Sequence, residues 1–136
     1  MRKQDGKSER GSVVIELALV MPLLMLLFMG IAEFGRIFMI QQMLINAARE
    51  GARVGAINLD DTEALADAEN VARDYLTRSG VDLSVTEVQP VFSQINGTQA
   101  VEVNIDYQYA ADLVSWFPGI NDTISLHSQV VMRREA

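Results

Sequence analysis

The 136-residue chain contains no cysteine, which excludes a disulfide framework, a zinc-thiolate site and a cysteine nucleophile together. Histidine occurs once, at His127, and a metal or catalytic role needs several converging groups. There is no glycine-rich phosphate loop and no nucleophile and base pair. Asp67, Glu69 and Asp74 read as the solvated face of a helix, because they are not clustered as a calcium loop requires. The expectation is a protein that is not an enzyme and needs no metal or cofactor. Positive charge is also scarce beyond the start: from Asn46 onward there are six arginines against fourteen acidic side chains. Such a balance is unsuited to nucleic acid phosphates, so no nucleic acid partner is expected. Small secreted domains often use disulfides to compensate for a thin core, so their absence points to anchoring or assembly as a source of stability.

The length allows one modest domain and one membrane segment. Residues 1–11 are net basic, with Arg2, Lys3, Lys7 and Arg10 against Asp5 and Glu9. Leu17 to Ala32 then runs for sixteen residues without a charge. Starting from Ser12, the segment has 21 residues and would span about 31 Å as a helix, matching a hydrocarbon core if Glu16 is tolerated. The positive-inside tendency places residues 1–11 in the cytoplasm and the chain after about Arg36 on the far side. A cleaved secretory signal is a poorer fit, since the apolar pattern continues past any signal core through Phe34, Ile37, Phe38, Ile40, Met43, Leu44 and Ile45 at helical spacing. Pro22 within the span should remove one hydrogen bond and bend the helix.

Small residues follow, with Ala47, Gly51 and Gly55 four apart and Ala48 and Ala52 four apart. Such a stripe admits close helix packing, either on the chain's own domain or on another subunit. Arg49 and Arg53 project from a neighbouring face. Asp60 and Glu63 have the spacing of a capping box and open a second helix through about Arg78, with Gly80 as its stop. Its apolar positions are Leu65, Ala68, Val71, Ala72, Tyr75 and Leu76.

The remainder predicts an antiparallel sheet. Val101, Val103, Ile105, Tyr107 and Tyr109 alternate with polar residues as a half-buried strand. Leu83 to Ser93 is a second strand, joined to the first by a turn at Asn96-Gly97, and Pro90 favours an edge position or a bulge. A last strand turns Ile124, Leu126, Ser128, Val130 and Met132 inward, leaving His127 exposed. One helix over three strands would make a sufficient core. Leu113, Val114, Trp116 and Phe117 are expected to pack under the sheet. Asn96-Gly97-Thr98 and Asn121-Asp122-Thr123 read as turn chemistry.

The most informative stretch is Glu9-Arg10-Gly11-Ser12-Val13-Val14-Ile15-Glu16-Leu17, where a basic leader meets a glycine and a carboxylate follows five residues later. This resembles a type IV prepilin cleavage site. The resemblance implies that a membrane aspartic peptidase cuts between Gly11 and Ser12, making Glu16 the fifth residue of the mature chain. A glycine lets a peptidase approach the backbone closely. A carboxylate in the bilayer needs a partner, and the new Ser12 amine, largely protonated at neutral pH, can supply it. The competing view is that Glu16 snorkels from an uncleaved anchor.

Read with Glu16-Leu17-Ala18-Leu19-Val20-Met21-Pro22-Leu23-Leu24, Gly30-Ile31-Ala32-Glu33-Phe34-Gly35-Arg36 and Ala47-Ala48-Arg49-Glu50-Gly51-Ala52-Arg53, the site resembles TadE-like proteins, minor pseudopilins of the tight-adherence (Tad, type IVc) pilus system. The resemblance covers roughly residues 9–55. Taken with the patterns above, the expected fold is pilin-like α+β: a leader (1–11), a transmembrane helix (12–35), a periplasmic extension of that helix (36–57) and a periplasmic domain (58–136) with one further helix and about three antiparallel strands, the strand-rich tail agreeing with the family only in general character. The resemblance also implies insertion in the bacterial inner membrane, with a prepilin peptidase, other pilins or pseudopilins, inner-membrane pilus assembly proteins and membrane lipid as partners. The alternative is an uncleaved, single-pass membrane-anchored periplasmic binding or sensor module.

Overall fold

The computed structural model of the protein describes residues 6–111 and 123–134, with side chains from Gly11 onward. The fold is α+β: α1 (Gly6–Ile57), α2 (Asp61–Arg78) and an antiparallel sheet of β1 (Thr86–Ile95), β2 (Thr98–Ala110) and β3 (Thr123–Arg133), in the order β1-β2-β3. Two compact units are present, Met1–Gly35 and Arg36–Ala136.

The described part of the first unit is helix. It runs unbroken through Pro22, and its apolar side chains, Leu19, Leu23 and Phe28 among them, are largely exposed. A helix that is apolar all round belongs in a protein core or a membrane. This one has no core around it, and it is long and apolar enough to cross a membrane.

In the second unit, α1 from Arg36 onward and α2 both pack on one face of the sheet. Leu44, Ala47, Ala48 and Ala52 of α1 join Ala68, Ala72 and Leu76 of α2 and Val101, Val103 and Ile105 of β2 in one buried cluster. α2 and the three strands are the one further helix and the antiparallel sheet that were expected, and α1 from Arg36 onward packs beside α2 on the same face. The buried line of α2 is Ala64, Ala68, Ala72 and Leu76, at four-residue spacing, with Leu65 and Tyr75 at its margin. Ala64 was absent from the expected set because alanine gives little periodic signal by itself.

Local chemistry sets the ends of α2. Asp60 is the N-cap, and its side chain accepts from the Thr62 amide at 2.9 Å. The reciprocal arm of the expected capping box comes from Asn58, whose Oδ1 accepts the Asp60 amide at 3.0 Å, and not from Glu63. At the other end Gly80 has φ +77, the Val81 amide bonds the Leu76 carbonyl and the Gly80 amide bonds the Thr77 carbonyl. That pair is a Schellman motif, and the left-handed residue it needs explains the glycine.

Leu83–Val85 is a 3-10 turn and not the start of a strand, because the Asp82 side chain captures the Ser84 amide at 2.8 Å. β1 therefore begins at Thr86 and extends past Ser93 to Ile95. Asn96 and Gly97 both have positive φ, 51 and 78, with Ile95 opposite Thr98, the pattern of a two-residue type I′ hairpin. Pro90 lies opposite Val103 in an unshifted register on an edge strand, where a missing amide is tolerated without a bulge. On β3, Leu126 and Ser128 are buried and Val130 and Met132 pack against the core. Ile124 shares that face, opposite buried Tyr109, but is 38% exposed at the start of the strand. The stretch around Trp116 and the Asn121-Asp122 pair lie outside the described residues.

Candidate assembly site

Gly11 and Ser12 stand in helical backbone within α1, where a glycine costs about 1 kcal/mol relative to alanine. A Cβ added at Gly11 would meet nothing within 4 Å among the described residues. A peptidase that needs extended backbone would have to unwind this turn. Glu16 is exposed and lies one turn beyond Ser12, so the two positions share a helix face. It is the only acidic residue between Gly11 and Ala32.

The small-residue stripe is placed quite differently. Ala47, Ala48, Gly51, Ala52 and Gly55 are all buried within the second unit. A Cβ at Gly51 would lie 2.6 Å from the Ala68 carbonyl oxygen, and one at Gly55 would lie 3.0 Å from the Ala64 carbonyl oxygen and from Val101 Cγ1. These residues seat α1 against α2 and β2, so the stripe serves the chain's own domain. Arg49 and Arg53 are exposed, and Arg53 pairs with Glu50 at 2.8 Å.

Two contacts that no periodic pattern announces tie β3 to the helices. Gln41 Nε2 of α1 donates to the His127 carbonyl at 2.8 Å. Arg134, nearly buried, pairs with Asp61, donates to the Asn58 carbonyl at 2.6 Å and lies 5.4 Å from the Phe92 ring centre. A lone arginine near a chain end gives no sequence signal for such a role.

The outward sheet face carries His127, exposed as expected, but with a partner: its Nδ1 lies 2.9 Å from Asp106 Oδ1. Glu102 accepts from Asn104 and Gln129, and these bonds hold its carboxyl below the usual range. No group of three or more histidine or acidic residues is placed to hold a metal ion among the described residues. A cavity of about 500 Å³, bordered by Arg36, Met43, Val81, Asp82, Tyr107 and Tyr109, lies on the second unit. Arg36 stacks 5.8 Å from the Tyr109 ring centre at its margin.

The helix thus divides its labour along its length: an exposed apolar part with one carboxylate near its start, then a small-residue part locked into a domain. The family model described as TadE-like protein matches residues 11–53. Over this helix the chain is TadE-like. The matched TadE-like segment contains Gly11, Ser12 and Glu16, together with Ala47, Ala48, Gly51 and Ala52 of the packing stripe, while Gly55 falls just beyond it. No curated protein and no solved structure matches the chain. The TadE-like family implies a protein associated with Tad pilus systems, and the long apolar helix fits a membrane anchor.

Proposed function

We propose that this chain is a minor pseudopilin that takes part in assembling a Tad-type adhesive pilus. In this reading a prepilin peptidase of the inner membrane cuts between Gly11 and Ser12. The apolar helix then remains in the bilayer as a single pass, with the acidic α+β domain on the periplasmic side. The ammonium group released on Ser12 pairs with Glu16 of its own or an adjacent subunit. That pairing lowers the cost of a carboxylate near the bilayer edge, a cost below the roughly 2.5–3.5 kcal/mol quoted for charges at a helix centre. Other pilins or pseudopilins and inner-membrane assembly proteins are the expected partners.

The observation that carries this reading is the exposed, apolar, TadE-like stretch of α1 from Gly11 onward, which holds Glu16 as its only acid before Glu33. Intact-mass measurement of the protein from cells with and without the prepilin peptidase tests it. The mature chain is expected to begin at Ser12 only when the peptidase is present, and a retained leader in both strains removes the proposal.

The second reading, an uncleaved membrane-anchored binding module, draws on the cavity beside Arg36 and Tyr109. Replacing residues 12–35 by an unrelated membrane helix separates the two. A binding module keeps its activity after the exchange, whereas a pseudopilin loses assembly.

A further inference from the structure

The cavity of about 500 Å³ in the second unit is bordered by both signs of charge. From α1 come Arg36 and Met39, from the connection after α2 come Asp82 and Val85, and from β2 come Tyr107 and Tyr109. Its volume is that of a pocket for a small ligand. Arg36 lies over the Tyr109 ring, 5.8 Å from its centre. Such stacking fixes the plane of a guanidinium, whose five N–H donors suffice for more than one acceptor. Asp82 is exposed, and its carboxylate accepts the Ser84 amide at 2.8 Å. That bond holds its pKa below the usual carboxylate value, so it is charged at neutral pH. No cationic side chain pairs with it among the described residues. An anionic ligand alone would meet repulsion from Asp82, and a cation alone would meet it from Arg36, whereas a zwitterion satisfies both.

The position of Arg36 along α1 says where such a ligand comes from. The helix is continuous from Gly6 to Ile57. Residues 12–35 rise about 36 Å against a hydrocarbon core of roughly 30 Å, so Arg36 stands at the level of the headgroups when this segment spans a bilayer. Arginine and tyrosine, with an apolar body and a polar tip, are suited to that level.

We propose that the cavity holds the phosphoethanolamine headgroup of a bilayer lipid, its phosphate on Arg36 and its ammonium on Asp82. Met39 and Val85, 52% and 40% exposed, supply apolar contact for the glycerol end. A phosphatidylglycerol headgroup lacks the ammonium and sets its charge against Asp82, and choline has no N–H to donate to the carboxylate. A lipid held there ties the domain to the bilayer at a second point besides α1. The inference rests on α1 crossing a membrane, which both functional readings share, and not on leader removal.

The full chain in nanodiscs of equal parts phosphatidylethanolamine and phosphatidylglycerol, with a photo-crosslinking amino acid at Val85, tests this. Lipid adducts, identified by mass, should favour phosphatidylethanolamine about fivefold. Arg36→Gln should lower adducts of both lipids by a similar factor. Asp82→Asn, which can still cap the Ser84 amide, should erase the preference. Arg49→Gln, on the same helix but outside the cavity lining, should change nothing. Discs of phosphatidylcholine should give a yield as low as phosphatidylglycerol. Soluble phosphoethanolamine at millimolar concentration should leave the yield intact, because the anchored chain meets lipid at a far higher effective concentration. Full competition would assign the cavity to a free small molecule and overturn the proposal. So would equal adducts of the two lipids, or Arg36→Gln and Asp82→Asn variants that melt and crosslink like the wild type. A chain that stays out of the discs would remove the membrane reading of α1 and this inference with it, whereas inserted protein without the lipid preference removes this inference alone.

Discussion

A Cβ built on Gly51 would stand 2.6 Å from the carbonyl oxygen of Ala68, so the backbones of α1 and α2 meet where neither can carry a larger side chain. The Ala68 oxygen belongs to helical backbone and cannot swing away as a flexible side chain would. Gly51→Val is expected to destabilise the domain by at least the ~1–3 kcal/mol typical of overpacking. Gly30→Ala is the control, because a Cβ there meets nothing within 4 Å. Thermal unfolding of the full chain in micelles reads both, and a Gly51→Val melt equal to wild type would mean that the helices do not touch here.

Much of the architecture was written in local patterns. The alternation from Val101 to Tyr109, the Asn96-Gly97 turn and the Gly80 stop each rest on interactions within a few residues, so sequence alone reveals them. The misplaced start of β1 has a local cause too, since Asp82 competes for the Ser84 amide and turns Leu83 out of the strand. What could not be read is tertiary. The Ala47 to Gly55 stripe looks the same whether it meets α2 or another subunit, and only the 2.6 Å approach at Gly51 decides. Arg134 and Gln41 act across 76 and 86 residues of sequence, beyond the reach of any periodicity. Gly11, Ser12 and Glu16 were legible from a resemblance in spacing and charge, and the fold adds their exposure and helical backbone.

Arg134 joins the end of β3 to the α1–α2 connection through Asp61 and the Asn58 carbonyl, and to β2 through Gln99. Arg134→Met keeps its packing over Phe92 but strands that carbonyl. A loss of about 1–3 kcal/mol is expected. Arg73→Met, which removes a half-exposed pair with Glu69, should cost no more than about 1 kcal/mol. Urea unfolding of the two variants ranks them, and equal losses would assign Arg134 no special role.

Ser128 is 3% exposed and its hydroxyl has no hydrogen-bond partner among the described residues. Burying a hydroxyl without a partner is unfavourable. Ser128→Ala should therefore leave stability unchanged or raise it by about 1 kcal/mol, again by urea unfolding. A clear loss would show that the hydroxyl is satisfied in solution.

Acid should weaken the domain through three carboxylates. The Thr62 amide lowers the Asp60 pKa, the Ser84 amide lowers that of Asp82, and Asn104 followed by Gln129 lowers that of Glu102. A carboxyl with a depressed folded-state pKa stabilises above its unfolded value, about 3.9 for Asp and 4.3 for Glu, and loses that contribution as the pH falls through the folded value. The denaturation midpoint should be insensitive to these groups between pH 7 and about 5, then fall below about 4. Asp60→Asn with Asp82→Asn and Glu102→Gln should flatten that acid limb, whereas an unchanged limb would place its cause in other groups.

The central claim is that Glu16 works in assembly through the amine that processing exposes. The most direct measurement is the amount of sheared surface fibre, together with co-purifying pilus proteins, in cells producing Glu16→Ala in place of the wild-type chain. The variant should still be cut before Ser12 and should reside in the membrane, while fibre and partner recovery fall sharply. Wild-type levels of both would contradict the account and leave the helix as a simple tether.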